Sequence, residues 1–445
     1  MFDRYTAHIR TLELLPPVAV KGSSQSNTVV HPAVYSFLFS QHHGLLPTIR
    51  HFIVADTATT PDLTAIAWTV STNLETLDIG EAMVSNTGFM TPFLQAIGKS
   101  RLTTVRIRSE QAALCPEALC LLMGSDLQEL ELILPQTHLS GRLLARIASM
   151  TSLKKLSLHA GAPGPGVGVM SSDGMQKASP AALGPGQGKG RHKLVRFCLT
   201  GSPSRMLRVL QYMAGWTFRS VEITEESESS PQQTIEFWSA FFEGLALVAP
   251  VLDKIAIHQL SDSTSLSPAI LSPLFSLSLR CLQINAPSKN RFQMTDAEFA
   301  SMIGHLSHLE TLELGLPRSR AVGPTFLSLV YLSQARPCSI KNLIIGLADS
   351  CLSQASLPPL NSTRPMDRCL SLEKLCIQSD GVGSSTSVVF DNVMHVAQLL
   401  YFLFPNLVDL QAFPSGAVFC SQTQKVYHAL QESAVVGVVG DEKSS

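Results

Sequence analysis

The residues most suggestive of chemistry lie between Gly161 and Lys193, in GAPGPGVGVMSSDGMQKASPAALGPGQGKGRHK, where glycine and lysine are mixed as in loops that cradle phosphate. A phosphate-binding P-loop needs Gly, four residues, Gly-Lys and then Ser or Thr, because backbone N–H groups hold the phosphates and the hydroxyl binds Mg²⁺. In GPGQGKG, Gly190 follows Lys189, so that hydroxyl is missing. A dinucleotide fingerprint fails as well, since no helical pattern begins in the segment. SxxK spacings occur at Ser152 and Ser371, but both overlap an apolar strand pattern, which makes them surface decoration. His305 and His308 form an HxxH at a helix end, where a favourable contact with the helix dipole is the ordinary reading. GxSxG, HExxH and CxxC do not occur in the sequence. No catalytic residue, metal ligand or cofactor is assigned, and the chain is expected not to be an enzyme.

Composition narrows the remaining classes. Of 445 residues, 45% are hydrophobic and only 15% charged, with a formal net charge of −1, against a usual charged fraction of about 25%. A duplex-binding surface needs excess Lys and Arg to displace counterions, so nucleic acid is not an expected partner. The nine cysteines are odd in number and lack the paired spacing of a zinc site; they read as free thiols in a reducing compartment. MFDRYTAHIR has no apolar signal region, and VAQLLYFLFPNLV is too short to span a bilayer. A cytoplasmic or nuclear location without membrane contact is therefore expected.

The strongest signal is a repeat. A hexad L-x-x-L-x-L, with Ile, Val or Phe allowed, starts at Ile9, Ile49, Leu74, Leu102, Leu127, Leu153, Leu194, Phe218, Leu252, Leu279, Leu309, Ile340, Leu372 and Leu407. Steps are 25, 28, 25 and 26 residues from Ile49 to Leu153, and 27, 30, 31, 32 and 35 from Leu252 to Leu407. Strand plus helix at this period cannot bury its own apolar face and must stack on its neighbours. The fold class is α/β: a leucine-rich-repeat solenoid of about 14 repeats over residues 1–420, with a curved parallel sheet inside and helices outside. The 41-residue step from Leu153 to Leu194 contains the Gly-rich segment, which reads as a disordered insertion over residues 160–192. EESESSPQQ (Glu225 to Gln233) reads as a solvated loop, the patch from Ser353 to Arg368 as irregular, and residues 421–445 as a tail.

Between the strands the sequence predicts helices. Thr295 and Glu298 make a capping box ahead of Phe299, Met302, Ile303 and Leu306, which share one face. TPFLQAIG offers Thr91 as cap, Pro92 at the first helical position and Gly98 as stop, and CPEALCLLMG repeats the logic with Pro116 and Gly124.

Within each hexad the third and fifth residues point away from the core. Toward the carboxyl end, Ala256, Cys281, Gln283, Thr311, Glu313, Asn342, Ile344, Lys374 and Cys376 form a weakly charged strip on the expected concave face. Such a strip reads as a docking surface for a protein partner.

DRYTAHIRTLEL, LLPTIRHFIV and the strands LETLDI, LQELEL and LETLEL resemble the leucine-rich-repeat region of fungal F-box-type proteins. The resemblance spans most of Met1 to Gln411. It implies a non-catalytic interaction module like the target-recognition part of a ubiquitin-ligase adaptor, with ubiquitin-ligase components as partners. Only eight residues precede the first hexad, so an F-box is not expected before it. The alternatives are a repeat scaffold or inhibitor unrelated to ubiquitination, similar to ribonuclease-inhibitor-like proteins, and, third, an enzyme using the Gly-rich loop.

Overall fold

The computed structural model describes residues 8–14, 48–54, 73–85, 87–161, 192–226, 231–258, 266–285, 294–315, 323–335, 339–347, 369–379, 391–414 and 421–432. Each of the fourteen hexads supplies one strand: β1 (Thr11–Leu14), β2 (His51–Val54), β3 (Thr76–Ile79), β4 (Thr104–Arg108), β5 (Glu129–Ile133), β6 (Lys155–Ala160), β7 (His192–Gly201), β8 (Trp216–Glu225), β9 (Lys254–His258), β10 (Cys281–Asn285), β11 (Thr311–Leu314), β12 (Asn342–Gly346), β13 (Lys374–Ser379) and β14 (Asp409–Pro414). They form a fourteen-stranded sheet in sequence order. Every described pairing is parallel.

Helices connect the strands: α1 (Glu81–Val84), α2 (Thr87–Ile97), α3 (Pro116–Leu121), α4 (Gly141–Ala148), α5 (Pro203–Tyr212), α6 (Pro231–Val248), α7 (Pro268–Leu271) with a 3₁₀ turn (Ser272–Ser276), α8 (Asp296–His305), α9 (Phe326–Gln334), α10 (Asp391–Leu403) and α11 (421–432). None of the described helices is long and apolar enough to cross a membrane. The chain divides into two compact units, Met1–Phe218 and Arg219–Ser445, where the repeat pattern alone implied one array.

In both units the fourth and sixth hexad residues face the helices. Leu77 and Ile79, Val105 and Ile107, and Leu130 and Leu132 are buried in the first unit; Leu282 and Ile284, Leu312 and Leu314, and Leu343 and Ile345 are buried in the second. Each such side chain contributes roughly 1.5–3 kcal/mol through the apolar area it removes from water.

Register is set by more than this burial. In most of the described strand pairs the second hexad residue lends its carbonyl to two N–H groups of the next strand: Glu75 O accepts from Thr103 N and Thr104 N, and Arg280 O from Glu310 N and Thr311 N. Hydroxyls just before the hexads add a second tie. Ser152 Oγ donates to Leu127 O at 2.8 Å, Ser339 Oγ to Leu309 O at 2.8 Å, and Ser371 Oγ to Ile340 O at 2.9 Å. Ser152 and Ser371 are the SxxK serines expected as surface decoration. They instead lock one repeat to the one before it.

The helices depart from expectation in three places. α8 keeps its capping box at Thr295 and Glu298, but α2 starts at Thr87 with Pro92 inside it rather than at its first position. Complete burial of Phe89, Met90, Phe93 and Leu94 outweighs the local cost of an interior proline. Second, Pro231 opens α6 within the expected EESESSPQQ loop. Proline suits a first helical turn, and the helix buries Trp238, Phe241, Phe242 and Leu245. Third, residues 421–432, expected as tail, form α11. Tyr427 is 1% exposed, donates its hydroxyl to Phe404 O and accepts from Leu407 N at 3.1 Å. The last repeat's apolar residues need a cover, and α11 supplies it.

Of the Gly-rich insertion, residues 162–191 lie outside the described residues, as does the patch from Ser353 to Arg368. On either side of the insertion β6 and β7 keep register from Lys155–Arg196 to Ala160–Gly201.

Candidate functional site

The nine residues expected as a docking strip all lie on the second unit's sheet. Cys281, Thr311, Asn342 and Lys374 are consecutive partners across β10 to β13, and Ala256, Gln283, Glu313, Ile344 and Cys376 are consecutive partners across β9 to β13. The columns read from sequence are thus physical rows of side chains. Their exposure differs from expectation. Ala256 is 0% and Cys376 8% exposed, so neither can be a contact residue. A methyl group in register between Glu222 and Gln283 is overshadowed by its longer neighbours.

Several remaining strip residues are engaged with each other. Gln283 Nε2 donates to Glu313 Oε2 at 2.9 Å, and Asn342 Nδ2 to Thr311 Oγ1 at 3.4 Å. Burial pushes the Cys281 thiol up. Burial first, and then Glu313 and Asp409, raise Cys376 to about 11. Both thiols are therefore protonated near neutrality and poor nucleophiles.

A denser cluster stands on the first unit's sheet, outside the strip expected from sequence. Arg106 on β4 reaches Asp78 Oδ2 on β3 at 3.4 Å, Glu129 Oε2 at 3.3 Å and Glu131 Oε2 at 3.8 Å on β5. Arg108 contacts Glu131 at 2.8 Å and Asp78 at 3.5 Å. Lys155 on β6 donates to Glu129. This hydrogen bond holds the Glu129 carboxyl below its usual range, against the upward push of burial, with the charges of Lys155 and Arg106 assisting.

Beside this network lies a cleft of about 300 Å³, lined among others by Arg106, Glu129, Glu131, Lys155, Ser157 and Arg196. Its cause is local. The fifth-position row falls from Arg106 and Glu131 to the short Ser157 and Cys198, while the third-position row stays long through Glu129, Lys155 and Arg196. Lys155 and Arg196 are direct partners in register. The opposite signs at Asp78, Arg106 and Glu131 were readable in sequence. The cleft was not, because it depends on neighbouring side-chain lengths across four strands.

The other sequence candidates do not converge. His305 stays at the end of α8, with Nδ1 2.7 Å from Ser301 O and its ring stacked on Phe275. Among the described residues no group of three or more His, Cys, Asp or Glu could hold a metal ion.

No family model matches the chain, and no curated protein does. Among solved structures, a sugar phosphate isomerase/epimerase from Parabacteroides distasonis ATCC 8503 is similar at 8% identity, over 57% of this chain and 87% of that one, with a TM-score of 0.18. The expectation of a non-catalytic interaction module resembling the recognition part of an F-box adaptor is corrected and not carried further: the solved structure named above is an enzyme's, and no family model or curated protein matches. At that identity and TM-score, the match brings neither its fold nor its activity to this chain.

Proposed function

We propose that the chain has the leucine-rich-repeat fold and uses the sheet face of its first unit to bind a small acidic molecule in the cleft over β4 to β7. The repeat reading is supported by hexads that pair position for position within each unit. One observation carries the ligand reading: Lys155 and Arg196 sit directly opposite each other beside the cleft. Both cations line the cleft, with Lys155 also paired to Glu129, so an acid group there would meet cationic donors on two neighbouring strands.

A volume of about 300 Å³ lies at the small end of ligand sites. It suits a compact carboxylate or phosphate compound. In this reading Lys155 and Arg196 hold the acid group through charge-assisted hydrogen bonds. Glu131 and Ser157 face the ligand's hydroxyl or amine groups. Arg106, engaged with three carboxylates, fixes the cleft's wall.

Calorimetric titration with succinate, citrate and inorganic phosphate tests the reading. At least one should bind saturably, weaken at high salt, and lose about tenfold or more in affinity in Lys155→Gln and Arg196→Gln. If none binds below about 1 mM, or if the variants bind as the parent does, the reading fails.

A further inference from the structure

The helical side of the first unit has a larger cavity, of about 770 Å³, far from the ion-paired rows of the sheet because it is lined only by α2, α3, α4 and their flanking residues. Helix lengths explain it. α3 has 6 residues, whereas α2 before it has 11 and α4 after it has 8. The short middle helix leaves a trough between two longer ones. Its floor is apolar: Ala118 and Leu121 of α3 line it, with Ala145 from α4. Leu121 is 44% exposed, an unusual position for a leucine in a helix that stacks on both neighbours.

One wall is cationic. Arg142 and Arg146 both line the trough, and a spacing of four places them one turn apart on the same face of α4. Arg146 donates to Met123 O at 2.9 Å, which fixes its guanidinium. Glu117 also lines the trough, where it accepts the Cys115 thiol hydrogen at 2.7 Å. The lining is therefore two cations against one anion, beside an apolar floor.

We propose that this trough binds an amphipathic organic anion, with an apolar body over Ala118, Leu121 and Ala145 and an acid group between Arg142 and Arg146. Inorganic phosphate would leave the floor uncovered. A neutral apolar ligand would make no use of the arginine pair, and a cationic one would meet it. The site shares no residue with the sheet cleft, so its fate is independent of the function proposed above.

Titration of the full chain with decanoate, decanol and decyltrimethylammonium tests the proposal. Decanoate should bind saturably, decanol at least about tenfold more weakly, and the cation weakest of all. The double variant Arg142→Gln/Arg146→Gln should weaken decanoate by about tenfold or more, and Leu121→Asp should weaken it further. Both variants lie on the surface, and an unchanged circular-dichroism melting curve would confirm that each remains folded. Equal affinity for decanoate and decanol, or decanoate binding that survives the arginine double variant, overturns the proposal.

Discussion

The sheet faces of the two units are built on one strand pattern and differ in how densely they are charged. Over β3 to β7 of the first unit, long charged side chains of both signs lock onto one another across adjacent strands, with Arg106 meeting Asp78, Glu129 and Glu131. Over β9 to β13 of the second unit the same positions hold Ala256, Cys281, Gln283, Ile344 and Cys376 among the charged Lys254, Glu313 and Lys374, and amides join Gln283 to Glu313 and Asn342 to Thr311. Second hexad positions carry ion pairs in both units: Arg50 with Glu75 in the first, and Arg280 with Glu310 and Glu310 with Lys341 in the second. The hexad's apolar positions thus specify the frame, and its variable positions carry the chemistry. A repeat can change its face without touching its core.

The frame can be tested first, where the expected effects are largest. Leu130→Ala in the first unit and Leu312→Ala in the second remove equivalent buried side chains. Each should cost about 2–5 kcal/mol in denaturant unfolding. A much smaller loss in one unit would mean that the two frames are not equivalent. Next is the cover over the last repeat. Tyr427→Phe deletes a buried hydroxyl joined to Phe404 and Leu407 and leaves their backbone groups only their own N–H···O contact at 3.2 Å. The expected cost is about 1–3 kcal/mol, read from thermal melting, and a neutral result would remove α11 from the stability of the unit.

Smaller effects separate the faces. Ser152→Ala and Ser371→Ala each remove a strand-entry hydrogen bond and should cost about 0.5–1.5 kcal/mol. Similar values in the two units would show that these ties belong to the frame. Arg106→Gln should cost roughly 0.2–1 kcal/mol at low salt, as exposed pairs do, and less at 1 M salt, where screening is strong. Gln283→Ala in the second unit should show no such salt dependence.

Acidification gives the finest contrast. Glu129 is lowered from 4.5 in the fold. Its contribution is therefore present above that ordinary value and lost as pH falls through the lowered one. In Glu129→Gln the drop in unfolding midpoint between about pH 7 and pH 3 should narrow. If the drop is unchanged, Glu129 is not part of the first unit's acid sensitivity.

Strand positions were legible because a hexad with period-two alternation needs no distant information. Leu, Ile, Val and Phe at its apolar positions state which face is buried, and all fourteen hexads became strands. Thr295 and Glu298 were legible for the same local reason. Pro92 was misread because its cost is local, whereas the burial of Phe89 and Phe93 that outweighs it is tertiary. Ser152 looked decorative because its acceptor, Leu127 O, lies 25 residues earlier.

The expected strip shows the same boundary. Ala256 and Cys376 share register rows with Gln283 and Ile344, but a place in an outward row is not exposure: their neighbours decide whether solvent reaches them.

By itself the sequence determined the strand pattern, the inward and outward sides, and the parallel order, since each follows from residues within one repeat and the need of each repeat for a neighbour. Only the tertiary structure decided which outward residues meet, where a cleft opens beside Ser157, and that a short α3 leaves a trough next to Arg142 and Arg146. Those features depend on side-chain and helix lengths compared across repeats about 25 residues apart in the chain, and contact at that separation exists only once the repeats have stacked.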